Sequence, residues 1–170
     1  AGSFRAGRDV KSMLERANNS DPEVNSPDAM RRRMLAAHHG FLDRLRSLEK
    51  PVIAAVDGAA YGAGFSLALT ADFVLASTRA NFCFAFAKLG AVADYGAFYT
   101  MPRLIGLAKT KELMMTARRV AAAEAHQLGF VHAVHAADSL LPEARRMARR
   151  FLAGPREALG MIKYTLNRSF

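Results

Sequence analysis

The chain has one cysteine, Cys83, so an internal disulfide is excluded and a reducing compartment suits it. No apolar run is both long enough and free enough of charge to span a bilayer, and no stretch has the pattern of a secretory signal. A cytoplasmic location without a membrane partner is the expectation these absences leave. Zinc, P-loop and dinucleotide signatures are missing. His132 and His135 fall on opposite faces of a predicted strand, which does not suit a shared metal, and His126 is isolated. Neither a metal nor a separate cofactor is expected. There is no internal repeat and no low-complexity segment.

Acidic residues are scarce, 15 Asp and Glu against 24 Lys and Arg, for a formal charge of +9. Such an excess permits attraction to a polyphosphate, whether nucleic acid or a nucleotide-bearing molecule. Much of it sits in Arg31, Arg32 and Arg33 and in Arg145, Arg146, Arg149 and Arg150, opposite apolar positions on predicted helices. That placement reads as solvated helix faces. No stripe of aromatics interleaves with Arg or Lys to stack bases, so a nucleic-acid partner is not expected.

What is present is a 170-residue chain, 51% apolar, enough for one globular core. It is organised around the stretch from Lys50 to Asp94. Val52 to Val56 reads as a fully buried strand, Asp57-Gly58 as a turn, and Gly62-Ala63-Gly64 as the entry to a short helix over 65–71. A strand feeding a helix through small residues leaves backbone N–H groups without internal partners, which favour an anion or a developing negative charge. The small residues Gly62, Ala63 and Gly64 let a ligand come close to the backbone.

Elsewhere, Phe4 to Gly7 looks like a strand end, and 10–16 like a short helix. A loop rich in Asn, Ser, Pro and Asp follows over 18–28. Ser26-Pro27 starts a helix running to about Leu48, with Ser26 as its cap. Strands are predicted over 72–76 and 81–86, and helices over 97–105 and 108–117 with Gly106 between them. A helix over 122–128 closes on Gly129, a strand covers 130–134, and two helices fill 140–154 and 155–170. Tyr61, Phe82, Met114 and Met115 are expected in the core.

The segments KPVIAAVDGAAYGAGFSLALTADFVLAS, ANFCFAFAKLG, MPRLIG and AAAEAHQLGFVHAV, with FRAGRDVK at the start, resemble in order the crotonase (enoyl-CoA hydratase/isomerase) superfamily. The resemblance implies an α/β fold, a spiral of ββα units with C-terminal helices. It assigns 1–136 to the spiral core and 137–170 to a helical segment of the trimerisation type. It also implies a chain truncated at both ends, a homotrimer or hexamer, and an acyl-CoA thioester as partner, with coenzyme A part of the substrate.

The family stabilises a thioester enolate with two backbone N–H groups, which by position are those of Arg8 and Ala63. Charge reaches the thioester oxygen only as the α-proton leaves, so preset donors favour the transition state over the ground state. Ala6 would lie beside the adenine, and Lys11 or Arg5 would meet the phosphates of coenzyme A. Family hydratases place two glutamates where this chain has Ser66 and Phe86, neither of which transfers protons at neutral pH, so efficient hydration is not expected. One carboxylate remains, Asp94, in FAFAKLGAVAD, which resembles the FAFxKLGxxPD pattern of the phenylacetyl-CoA ring-opening branch except at Ala93. A double-bond shift needs only one acid to take a proton and return it two carbons away. Phe86, Tyr95, Phe98 and Tyr99 would surround Asp94 with apolar surface and raise its pKa. Without the resemblance, Asp94 would read as the cap of a helix starting at Tyr95. Rival expectations are a halobenzoyl-CoA dehalogenase with Asp94 as nucleophile and His39 as base, an RNA-binding or inactive relative, and a weak hydratase.

Overall fold

The computed structural model describes residues 3–5 and 10–169. β1 (Ser3–Arg5) comes first, then α1 (Val10–Ala17), α2 (Pro22–Asn25) and α3 (Pro27–Ala37). The stretch expected to be loop therefore contains one helical turn. Asp21 caps α2 by accepting from the Glu23 amide, and Pro22 presets the first helical φ. Ser26 caps α3 as expected, its Oγ accepting from the Ala29 amide at 3.1 Å. The helix does not run unbroken to Leu48: a π-helical turn, His38–Leu42, separates α3 from α4 (Asp43–Ser47).

The chain then advances by a repeated strand–strand–helix step. β2 (Ile53–Val56), β3 (Ala59–Tyr61) and α5 (Ala63–Ala68) make one step. β4 (Phe73–Ser77), β5 (Asn81–Cys83), a 3-10 turn (Ala85–Leu89) and α6 (Ala97–Thr116) make the next. β6 (Val120–Ala121), α7 (Ala122–Leu128) and β7 (Ala133–His135) complete the sheets, and α8 (Leu140–Leu152) and α9 (Arg156–Leu166) follow. First strands pair in parallel in one sheet, β2-β4-β7, and second strands in another, β1-β3-β5-β6, where only β5-β6 is antiparallel. Each step thus adds one strand to both sheets, which winds the chain into a spiral.

Three expectations shift. β2 is not fully buried: only Val56 is, because β2 is the edge of a three-stranded sheet. The strand expected to reach Phe86 ends at Cys83, where Phe84 turns the backbone into the 3-10 turn. The strand expected over 130–134 begins only at Ala133, leaving His132 ahead of it. The two helices expected around Gly106 are the halves of α6, broken where Gly106 adopts φ 77°, ψ 161°.

The core centres on α5. Phe65 sits among Phe82, Phe84 and Phe130, with ring centroids 4.3–5.2 Å away, and all four are shielded from water. Such aromatic pairs add ~0.5–1.5 kcal/mol each beyond their burial. Tyr61 is half-buried and bonded to Asn81, while Met114 packs against the core and Met115, on the outer side of α6, is 77% exposed. The clustered arginines are exposed as expected, with Arg32 bonded to Asp28 and Glu23 and Arg146 to Glu143. Among the described residues no helix is long and apolar enough to cross a membrane.

Candidate active site

Gly62 turns the chain from β3 into α5 at φ 51°, ψ −124°, a conformation that suits glycine alone. Its amide donates to the Cys83 carbonyl at 2.9 Å, tying the turn to β5. Its carbonyl accepts from the amides of Phe65 and Ser66, each at 3.0 Å. The N–H groups of Ala63 and Gly64 come before these first helical bonds, where the helix offers them no acceptor. Both residues are buried, and Phe65, locked in the aromatic core, fixes the angle at which α5 presents them. The ring tip of Phe86 stands 3.9 Å from where a Cβ on Gly62 would be, so any side chain there would meet that ring.

Ser66 follows one turn after Ala63 on the same helix, and positions three apart share a face. It is fully buried, and among the described residues its Oγ has no hydrogen-bond partner. Leaving such a hydroxyl unsatisfied costs ~1–3 kcal/mol. Gly62, Ala63, Gly64, Ser66 and Phe86 are thus grouped at one turn.

Asp94 lies in the bend between the 3-10 turn and α6. It is half-buried, and its Oδ1 is shielded from solvent. Ala93 before it packs against the core. The two residues after it are both left-handed, Tyr95 at φ 49° and Gly96 at φ 74°. A bulky residue rarely adopts that conformation, and it persists only where its surroundings hold it. The helix starts at Ala97 as expected, not at Tyr95 as the cap reading of Asp94 requires, and Gly96 holds the cap position. Asp94 is therefore part of the bend rather than the cap residue, and its carbonyl accepts from the Ala97 amide at 3.1 Å. Of the aromatics expected around it, Tyr95 and Tyr99 are half-buried and Phe86 packs on the core, whereas Phe98 turns out to solvent.

Ala6 and Arg8 lie outside the described residues, and Lys11 is exposed on the first turn of α1. His39, in the π-helical turn, has a side chain 72% exposed with Nδ1 2.9 Å from Oδ2 of Asp43. The Cys83 thiol donates to the Ala117 carbonyl, and burial pushes its pKa up, so it does not supply a thiolate. Among the described residues no three His, Cys, Asp or Glu side chains gather as a metal site. The sequence carried no sign of the bend's left-handed backbone, since Tyr95 is not a residue type that announces positive φ.

The family model described as enoyl-CoA hydratase/isomerase matches residues 1–170. A 1,2-epoxyphenylacetyl-CoA isomerase of Escherichia coli is 35% identical over 164 residues, 96% of this chain and 60% of that protein. A carnitinyl-CoA dehydratase of Salmonella paratyphi A is 40% identical over 162 residues, 94% of this chain and 57% of that protein. The crystal structure of an enoyl-CoA hydratase from Polaromonas sp. superposes with a TM-score of 0.89 at 35% identity, covering 99% of this chain and 63% of the other. That of an enoyl-CoA hydratase/isomerase from Cupriavidus metallidurans gives 0.86 at 41% identity, covering 97% and 61%. The chain therefore spans about 60% of the length of these relatives.

Proposed function

The chain belongs to the enoyl-CoA hydratase/isomerase family, and we propose that it binds a coenzyme A thioester and shifts a carbon–carbon double bond, with Asp94 moving the proton. The observation that carries this reading is Asp94 itself: a carboxylate with one oxygen out of water, on a bend braced by two left-handed residues. Ser66 and Phe86, at the positions that the family resemblance assigns to hydratase glutamates, supply no second acid.

The α-proton of the thioester passes to the Asp94 carboxylate, and the electron pair moves toward the thioester oxygen. The Ala63 N–H, with that of Arg8, donates to this oxygen as its charge grows. The conjugate acid of Asp94 then returns the proton to the γ-carbon, so the double bond has moved by one position and the carboxylate is restored. Adding water would require a second group to activate it, and the buried serine and the phenylalanine do not fit that task. The relatives named for an epoxyphenylacetyl thioester and a carnitinyl thioester support a thioester substrate without choosing its acyl group.

Asp94→Asn removes the base while keeping its shape. Turnover of an enoyl-CoA is expected to fall by roughly a hundredfold or more, the usual contribution of a positioned acid or base, while thioester affinity stays near the wild-type value. Equal loss of affinity and turnover would make Asp94 a brace for the bend instead.

The same reading takes 1–136 as the site-bearing core and 137–170 as a segment for association into trimers or hexamers. Leu141, Leu152 and Met161, large apolar side chains left exposed on α8 and α9, support it.

A further inference from the structure

Tyr95 and Gly96, the residues that follow Asp94, also form part of the wall of a cleft of about 390 Å³ between α4, the start of α6 and α9. Its walls are largely apolar, with Leu42, Leu69, Phe73, Leu159 and Ile162 among them. The charges at its base are satisfied. Lys163 donates to Asp72 at 2.6 Å and to the Lys50 carbonyl at 3.0 Å, and Asp72 also accepts from the Val52 amide at 2.7 Å. Asp43, the other acid on the wall, is engaged by His39.

Arg46 and Arg103 differ. Both line the cleft, and their guanidinium carbons lie 4.6 Å and 3.6 Å from the centroid of the Tyr99 ring. Arg103 Nη1 donates to the Tyr99 carbonyl at 3.0 Å, yet among the described residues neither guanidinium has a carboxylate within ion-pair distance. Two guanidiniums held beside one aromatic ring, with no acid to balance them, form a ready anion site at an apolar cleft. Ile162 and Leu166 on the wall stay 56% and 61% exposed, apolar area that a ligand's body would cover.

We propose that this cleft binds a carboxylate carried on an apolar body, with Arg46 and Arg103 taking the carboxylate and the apolar part lying along Leu69, Phe73 and Ile162. Two sources share that chemistry: a free carboxylic acid, or the far end of an acyl group that ends in a carboxylate. Only the second rests on the thioester reading. Either ligand would press on Tyr95 and Gly96 and so bear directly on the bend that holds Asp94.

The test is calorimetric titration of the chain with octanoate, against octanamide and inorganic phosphate. Saturable binding of octanoate is expected, with octanamide weaker by roughly tenfold or more because it lacks the charge, and phosphate not bound. Arg46→Gln and Arg103→Gln should each weaken octanoate by roughly tenfold while the free chain still melts cooperatively, since among the described residues neither substitution breaks an ion pair. Octanedioyl-CoA separates the sources: displacement of octanoate assigns the cleft to the acyl end, whereas simultaneous binding assigns it to a free acid. Absent or unsaturable octanoate binding, equal binding of octanamide, or indifference to both substitutions would overturn the proposal. A chain that binds octanoate but no CoA thioester would sink the proposed function and leave the cleft assignment standing.

Discussion

Ser66 shows a conflict between stability and use at a single side chain. Its hydroxyl is buried without a hydrogen-bond partner among the described residues, one turn from the amide expected to meet the thioester oxygen. Ser66→Ala removes that cost while leaving a cavity no larger than one oxygen. The melting temperature is expected to stay level or rise, by an equivalent of up to about 1 kcal/mol, and a clear drop in a thermal melt would show that the hydroxyl has a structural bond. Ser66, Phe86 and Asp94 could be picked out in the sequence because they occupy positions in a recognisable order of motifs. What could not be read was their surroundings. Asp94 Oδ1 is shielded and Tyr95 is left-handed beside Ala93, which packs against core residues brought in from distant parts of the chain.

Among the elements, α9 depends on a link across the fold. Lys163 reaches from it to Asp72 and to the Lys50 carbonyl, and Gly160 lets the helix approach so closely that a Cβ there would stand 3.1 Å from Glu49. Lys163→Met leaves Asp72 with only the Val52 amide, and unfolding by urea should show a loss of about 3 kcal/mol, the scale for breaking a largely buried pair. His132 connects β4 to the entry of β7 in another way. Its Nδ1 accepts from the Val74 amide at 3.3 Å, its ring lies 5.0 Å from that of Phe73, and burial, helped by the charge of His126, lowers its pKa. The unfolded chain then binds the proton more readily than the folded one. This stability is complete above the ordinary value of 6.5 and is lost as pH falls from there toward the lowered folded value. Thermal melts from pH 8 to 5 should show that decline, and His132→Asn, which keeps an acceptor but cannot take the proton, should flatten it; an unchanged profile would assign the decline to other groups. Elements with local signals were legible in advance: Ser26 as a cap, and Gly129, at φ 97°, as the stop of α7. β3 was not, because three residues form a strand only when β1 and β5 pair with them from either side. The π-helical turn over His38–Leu42 was not read from the sequence either.

At the scale of the whole molecule, one repeated step winds both sheets, so the Gly62 turn of one step and the Asp94 bend of the next belong to successive units of a single spiral. The order of motifs made this architecture legible, although no single segment did. The apolar residues left exposed on α8 and α9 should be covered by other copies of the chain; sedimentation velocity is expected to show a trimer or hexamer, and Met161→Glu to shift it toward monomer. A monomer at all concentrations would remove the assembly from the account. In the proposed function, one carboxylate moves a proton next to a thioester whose charge is met by backbone amides. Proton NMR of an enoyl-CoA in deuterated buffer tests this most directly. The signals of the protons on the α- and γ-carbons should fade as solvent deuterium enters, and Asp94→Asn should stop the fading while the thioester stays bound. Exchange that continues undiminished in the variant, or a bound enoyl thioester that neither exchanges nor isomerises in the wild type, would contradict it.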